Sequence, residues 1–141
     1  MSHPFLASEE IFSAWIPSRL DRRGALILEA LGKLEEAGIR PDPFFDRLII
    51  DEALTNAILH GNGQDSAKTV TLRLFASEGR WGVEVIDEGK GFDWRAALEK
   101  ADGAPPLDAS SGRGILIMRK AGAELHFLDD GRRLVIVRRR P

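Results

Sequence analysis

At 141 residues the chain has the length of one domain and enough material to bury a core. With 43% hydrophobic and 30% charged residues it reads as globular rather than disordered, and 20 basic against 22 acidic side chains offer no bulk field for nucleic acid. No apolar run approaches the ~20 residues of a membrane span, the start Met1-Ser2-His3-Pro4 predicts no export signal, and a chain without cysteine has neither disulfides nor thiolate metal sites, which fits a cytoplasmic setting.

In chain order, Ile11 to Ile16 reads as a first strand closed by Pro17. Ser18 with Asp21 has the form of a capping box, and Leu20, Ile27, Leu28, Leu31 and Leu34 follow as an apolar stripe at helical spacing, with Gly38 as the stop. Asp42-Pro43 reads as an N-cap with proline in the first helical position. From there a helix is predicted to run to Gly61 with Ile50, Leu54, Ala57 and Ile58 on its core side. Val70 to Phe75 and Trp81 to Ile86 are two strands around Ser77-Glu78-Gly79. Residues 94–111, with Gly103, Pro105, Pro106, Ser110 and Ser111, have a loop composition. A helix is expected from about Ile115 to Gly122. Leu125 to Leu128 and Leu134 to Val137, joined by Asp129-Asp130-Gly131, make a closing hairpin. The basic run Arg138-Arg139-Arg140 reads as a solvated tail. Helices and antiparallel hairpins in this mix predict one α+β domain over 1–141, a two-layer sandwich with helices on a single face of the sheet.

Three short segments carry chemistry. Glu52 and Asn56 are four residues apart on one helix face, with His60 continuing the row, beside apolar Ile49, Ala53 and Ala57. A carboxylate and an amide at a core boundary need partners. A Mg²⁺-nucleotide would supply them: an amide oxygen is a hard ligand, and a carboxylate can take a proton from an attacking hydroxyl or water. In the second segment, Val83, Val85 and Asp87 share one side of a strand, so Asp87 stands at the end of an apolar row. A carboxylate there can accept from an exocyclic amino group such as that of adenine. Gly89 and Gly91 let the backbone approach a flat ring. In the third, Gly112 and Gly114 precede Ile115-Leu116-Ile117-Met118, leaving N–H groups open to phosphate at a helix N-terminus, with Arg113 as a candidate extra charge. A dinucleotide fingerprint, a P-loop and the H-R-D and D-F-G segments of eukaryotic-type kinases are all absent.

Asp51-Glu52-Ala53-Leu54-Thr55-Asn56, then Asp87-Glu88-Gly89-Lys90-Gly91-Phe92-Asp93, then Ser111-Gly112-Arg113-Gly114-Ile115 resembles the three boxes of the GHKL, or Bergerat-fold, ATPases. Within them the wording is similar to the bacterial anti-sigma factor serine/threonine kinases of partner-switching systems, over roughly residues 11–137. The resemblance implies a histidine-kinase-like ATPase fold with a mixed, mostly antiparallel sheet. It implies ATP and Mg²⁺ as cofactors, Glu52 as general base, Asn56 as Mg²⁺ ligand and Asp87 as adenine anchor. Gly89 and Gly91 would form the first glycine turn, Gly112 and Gly114 would flank the triphosphate, and residues 94–111 would be the lid. The implied partners are a STAS-type anti-anti-sigma protein, phosphorylated on a serine or threonine, and a sigma factor. Neither nucleic acid nor a membrane is expected as a direct partner, and a homodimer is plausible by resemblance. The length leaves no room for the further domains of gyrase-like members or for a phospho-acceptor hairpin, which predicts a stand-alone switch. The alternative reading is a nucleotide-dependent protein-binding module with little or no kinase activity.

Overall fold

A computed structural model describes residues 2–91 and 110–140, except for the side chains of 110–113. The predicted lid, 94–111, falls almost wholly outside the described residues, as do Phe92 and Asp93 of the second box and the side chain of Arg113. Among the described residues the strands and α-helices follow in order: β1 (Glu10–Pro17), α1 (Arg23–Glu36), α2 (Phe45–Asn56), β2 (Thr69–Ser77), β3 (Arg80–Ile86), α3 (Ser110–Lys120), β4 (Glu124–Leu128) and β5 (Arg133–Arg139). The strands lie in the order β1-β2-β3-β5-β4, and each described pairing is antiparallel.

Period-two alternation decides which face is covered. Val70, Leu72 and Leu74 of β2, Trp81, Val83 and Val85 of β3, and Leu134 and Ile136 of β5 all enter the main core. Leu26, Ile27, Ala30 and Leu34 of α1, Ile49, Ile50, Ala53 and Leu54 of α2, and Ile115 and Met118 of α3 meet them there. Burying each such aliphatic side chain stabilises the fold by about 1.5–3 kcal/mol. The predicted core positions Ile50, Leu54, Ala57 and Ile58 are all buried. Leu28 departs from the predicted stripe: it is 60% exposed, and Leu26 and Ala30 join Ile27 and Leu34 on the buried face of α1.

Several boundaries differ from the sequence reading. Ser18 does not cap α1: a 3-10 turn, Leu20–Arg22, separates it from the helix, and its buried hydroxyl has no hydrogen-bond partner among the described residues. Asp42 caps the turn that leads into α2 rather than the helix itself, its Oδ1 accepting from the Phe44 and Phe45 N–H groups at 2.9 and 2.6 Å, while Asp46 Oδ2 accepts from the Asp42 N–H at 2.6 Å; α2 begins at Phe45, so Pro43 precedes the helix instead of taking its first position. The Ile39 and Gly38 N–H groups close α1 on Leu34 and Glu35, with Gly38 at φ 80°. The α2 helix does continue to Gly61, but residues Ala57–Gly61 widen into a π turn. The α3 helix begins at Ser110, so Gly112 and Gly114 lie in its first turns rather than before it.

The Arg138-Arg139-Arg140 run is not a solvated tail. Strand β5 carries it through Arg139, Arg138 Nε donates to the buried Asp46 at 2.7 Å, and the Arg140 N–H donates to the Gly79 carbonyl at 2.9 Å. The outer face of the sheet has its own small core of Phe5, Phe75, Val135 and Val137. Beside it Glu84 is fully buried and held by Arg73 at 2.7 Å and Arg133 at 2.8 Å. Buried carboxylates persist only with such partners. Here they brace β3 and β5 from behind the strand ends that carry Asp87.

Candidate functional site

The helical spacing of Glu52 and Asn56 survives in α2, and both side chains are half-buried. What lies against them is the third box. A Cβ on Gly114 would stand 2.7 Å from Asn56 Nδ2 and 3.0 Å from Glu52 Oε2. Any side chain at 114 would therefore displace the two groups. Next to this row, Arg23 reaches across from α1 and donates through Nη1 to Asp51 Oδ1 at 2.5 Å and to Thr55 Oγ1 at 2.6 Å. The bridge ties the N-terminus of α1 to α2 on either side of Glu52.

The second box meets the far end of the same helix. Asp87 is 9% exposed at the end of β3, and its Oδ1 accepts from the Gly89 N–H at 2.8 Å. A Cβ on Gly61 would overlap the Asp87 carboxylate, and one on Gly89 would overlap the Gly61 carbonyl. The π turn thus delivers a bare backbone to the spot where the Asp87 side chain lies. Asn62, 3% exposed, fastens this junction: its Nδ2 donates to the Thr69 carbonyl at 2.9 Å and its Oδ1 accepts from the Glu88 N–H at 2.8 Å. Glu88 in turn accepts from both the Thr69 N–H, at 2.8 Å, and the Thr69 hydroxyl.

Between these ends lies a mostly apolar cleft, open at its mouth. Its walls include Ala53, Ala57, Val85, Ile115, Phe127 and Leu134, and the amide of Asn56, the carboxylate of Asp87, His60 and Arg132 also line it. Such a cleft, apolar with a few convergent polar groups, suits a flat aromatic ligand. Burial pushes the Asp87 carboxyl above its ordinary range, against the Gly89 hydrogen bond and the charges of Arg132 and Lys68, which pull it down. The hydrogen bonds from Thr69 hold the Glu88 carboxyl below its ordinary range.

Of the predicted site residues, Glu52, Asn56 and Gly114 are brought together at one end of the cleft, and Asp87 and Gly89 at the other. Gly91 packs elsewhere than against the cleft's far wall of α2: a Cβ there would overlap the Asp130 carbonyl in the β4–β5 turn. Gly112 lies in α3, and the side chain of Arg113 is outside the described residues. The sequence reading assigned no site role to Gly61, Asn62, Thr69 or Arg132. Gly61 and Asn62 directly follow His60, which continues the Glu52–Asn56 row, so their adjacency to it was the available signal. Nothing local pointed to Thr69 or Arg132.

The donor set fits a divalent cation carried by phosphates rather than one caged by protein. Among the described residues no cluster of three or more His, Cys, Asp or Glu side chains can hold a metal. Asn56 Oδ1 and the Glu52 carboxylate are hard oxygen donors placed side by side against Gly114. Magnesium typically takes one or two such protein ligands and completes its shell with phosphate and water.

A family model for the histidine kinase-like ATPase domain matches residues 17–138. The chain belongs to that family. Membership implies ATP binding, and it accounts for the antiparallel sheet with helices on one side. This histidine kinase-like ATPase domain is also 32% identical over 77 residues to proteins named anti-sigma F factor from Thermoanaerobacter sp. (strain X514) and Thermoanaerobacter pseudethanolicus (strain ATCC 33223 / 39E). Each match covers 54% of this chain and 53% of the relative, so the chain spans about half the length of the curated relatives it matches. Among solved structures, the histidine kinase domain from the Erythrobacter litoralis EL346 blue-light activated histidine kinase is 26% identical at a TM-score of 0.45, covering 69% of this chain and 43% of that one. No helix among the described residues is long and apolar enough to cross a membrane.

Proposed function

We propose that this protein is an ATP-dependent anti-sigma-type regulator that phosphorylates a serine or threonine of a STAS-type anti-anti-sigma partner and sequesters a sigma factor. The observation that carries the reading is the close seating of Gly114 against Glu52 and Asn56, which gathers a base, a hard-oxygen ligand and a helix start at one end of an apolar cleft. Likeness to anti-sigma F factors over half the chain supports the partner class.

In this reading Asp87 accepts a hydrogen bond from the adenine amino group, and Val85, Ile115 and Leu134 support the ring. Gly89 and Gly91 keep the adjoining loop close to its neighbours, and Gly112, Arg113 and Gly114 face the triphosphate from α3. Asn56 would hold Mg²⁺, which neutralises charge on the β- and γ-phosphates when bound. Glu52 takes the proton of the partner's hydroxyl as that oxygen bonds to the γ-phosphorus, and the bond to the ADP oxygen breaks in line.

The test is to incubate the full chain with Mg-ATP and a genomically neighbouring STAS protein, then weigh the partner by intact mass spectrometry. One added phosphate is expected, with ADP formed in equal amount. Tight partner or sigma-factor binding in ATP or ADP without any transfer would overturn the kinase reading in favour of a nucleotide-dependent binding switch.

A further inference from the structure

Arg132 stands beside Asp87 on the cleft side of the sheet. The Asp87 N–H donates to the Arg132 carbonyl at 2.9 Å, extending the β3–β5 ladder one step past the Ile86–Arg133 pair. Asp87 shares a strand face with Val85, and Arg132 shares one with Leu134, so both side chains lie on the helix-covered side and line the cleft.

The turn before Arg132 is strained. Asp129, Asp130 and Gly131 lie at φ 51°, 57° and 90°, three consecutive left-handed residues of which two are not glycine. Gly91 packs against the Asp130 carbonyl and locks the turn to the second box. What the strained turn holds is Arg132, whose backbone N–H and Nε both donate to the Asp129 carbonyl at 3.1 Å. Among the described residues the two Nη groups make no hydrogen bond, and no ion pair closes between Arg132 and Asp87, although the guanidinium charge acts on that carboxyl. A buried acceptor and an anchored, exposed donor thus line one apolar slot side by side.

Resting on the ATP reading of this cleft, we propose that Arg132 determines base specificity: an Nη–H donates to adenine N1 while Asp87 accepts from the N6 amino group. Adenine presents a donor at N6 and an acceptor at N1 side by side. Guanine presents the reverse, an acceptor at O6 and a donor at N1, and so meets like against like at both positions. A site built to hydrogen-bond both atoms discriminates strongly because either mismatch leaves a desolvated group unpaired.

The experiment is a ligand–protein cycle by calorimetry, using the full chain and Arg132→Ala with ATP and with 1-deaza-ATP, in which N1 is replaced by C–H. Wild type is expected to bind 1-deaza-ATP on the order of tenfold more weakly than ATP, the size of one charged hydrogen bond. Arg132→Ala is expected to bind ATP about tenfold more weakly than wild type does, again one such bond, and to show no further loss with 1-deaza-ATP. Equal affinity of wild type for the two nucleotides overturns the proposal without reference to any variant. An equal 1-deaza penalty in both proteins also overturns it, since another group would then serve N1. Failure of wild type to bind ATP at all is a separate result that removes the ATP reading itself.

Discussion

Gly61 and Asp87 occupy one site between them: the carboxylate at the end of β3 lies where a side chain on residue 61 would be. The Gly61 carbonyl in turn lies where a side chain on Gly89 would be. The base end of the cleft is therefore assembled by two bare backbones closing on one acid. Replacing Gly61 by alanine should push Asp87 off its position and cost about 1–3 kcal/mol of stability from overpacking. ATP affinity should fall by at least tenfold while far-UV circular dichroism stays native, read by thermal melting and calorimetry. Unchanged ATP affinity in Gly61→Ala would show that Asp87 does not touch the nucleotide.

Asp87 also predicts a pH dependence. Its carboxyl is raised above its ordinary range chiefly by burial. The ionised form accepts from an amino group more strongly than the protonated acid does, so as pH falls through the raised value the acceptor weakens. ATP affinity should weaken on acidification at a pH above the ordinary aspartate value of about 3.9. The unliganded fold shows the opposite sign. The folded state holds this proton more tightly than the unfolded chain does, so this group destabilises the fold above the raised value and ceases to do so below the ordinary one. Nucleotide titrations and urea melts from neutral pH into the carboxylate range check both, and Asp87→Asn should flatten the affinity profile at a low level.

Glu52→Ala should keep ATP binding within a fewfold and reduce phosphoryl transfer by roughly 10²–10⁴, the range for a removed general base. Gly114→Ala should harm transfer as well, because its new methyl group would press on both Glu52 and Asn56. Single-turnover transfer alongside nucleotide affinity separates the two effects. Loss of ATP binding in Glu52→Ala would mean the carboxylate holds the nucleotide rather than a proton.

Asn62→Ala should be the most destabilising of the polar substitutions around the cleft. It removes the partner of the Thr69 carbonyl and of the Glu88 N–H in two half-buried hydrogen bonds, at about 0.5–1.5 kcal/mol for each bond lost. Asn62→Asp should restore only the half that accepts from Glu88. Chemical denaturation of the two variants orders them, and equal stability of both with wild type would refute the junction's role.

Much of the layout was written locally. Strand alternation in Val70 to Phe75 and Trp81 to Ile86 placed the central hairpin within a few residues, and the Glu52–Asn56 spacing put both groups on one helix face. Capping was read less well: Asp42 caps the turn before α2 rather than the helix, and Ser18 lies beyond a 3-10 turn from the helix it was assigned to. Arg138 resembled a tail residue because nothing near it in the chain announces Asp46, its buried partner from α2.

The amino-acid sequence by itself determined the elements, the three boxes and the family they resemble, because helical and strand periodicities bring together residues a turn or a pleat apart. The tertiary structure alone decided that Gly114 closes on Glu52 and Asn56, that Gly61 makes room for Asp87, and that Arg132 stands beside Asp87 at the cleft. Those approaches join separate elements, and they depend on strand order, register and the widened turn at Ala57–Gly61. No local period encodes such geometry, since it arises only when the sheet and its helices pack against one another.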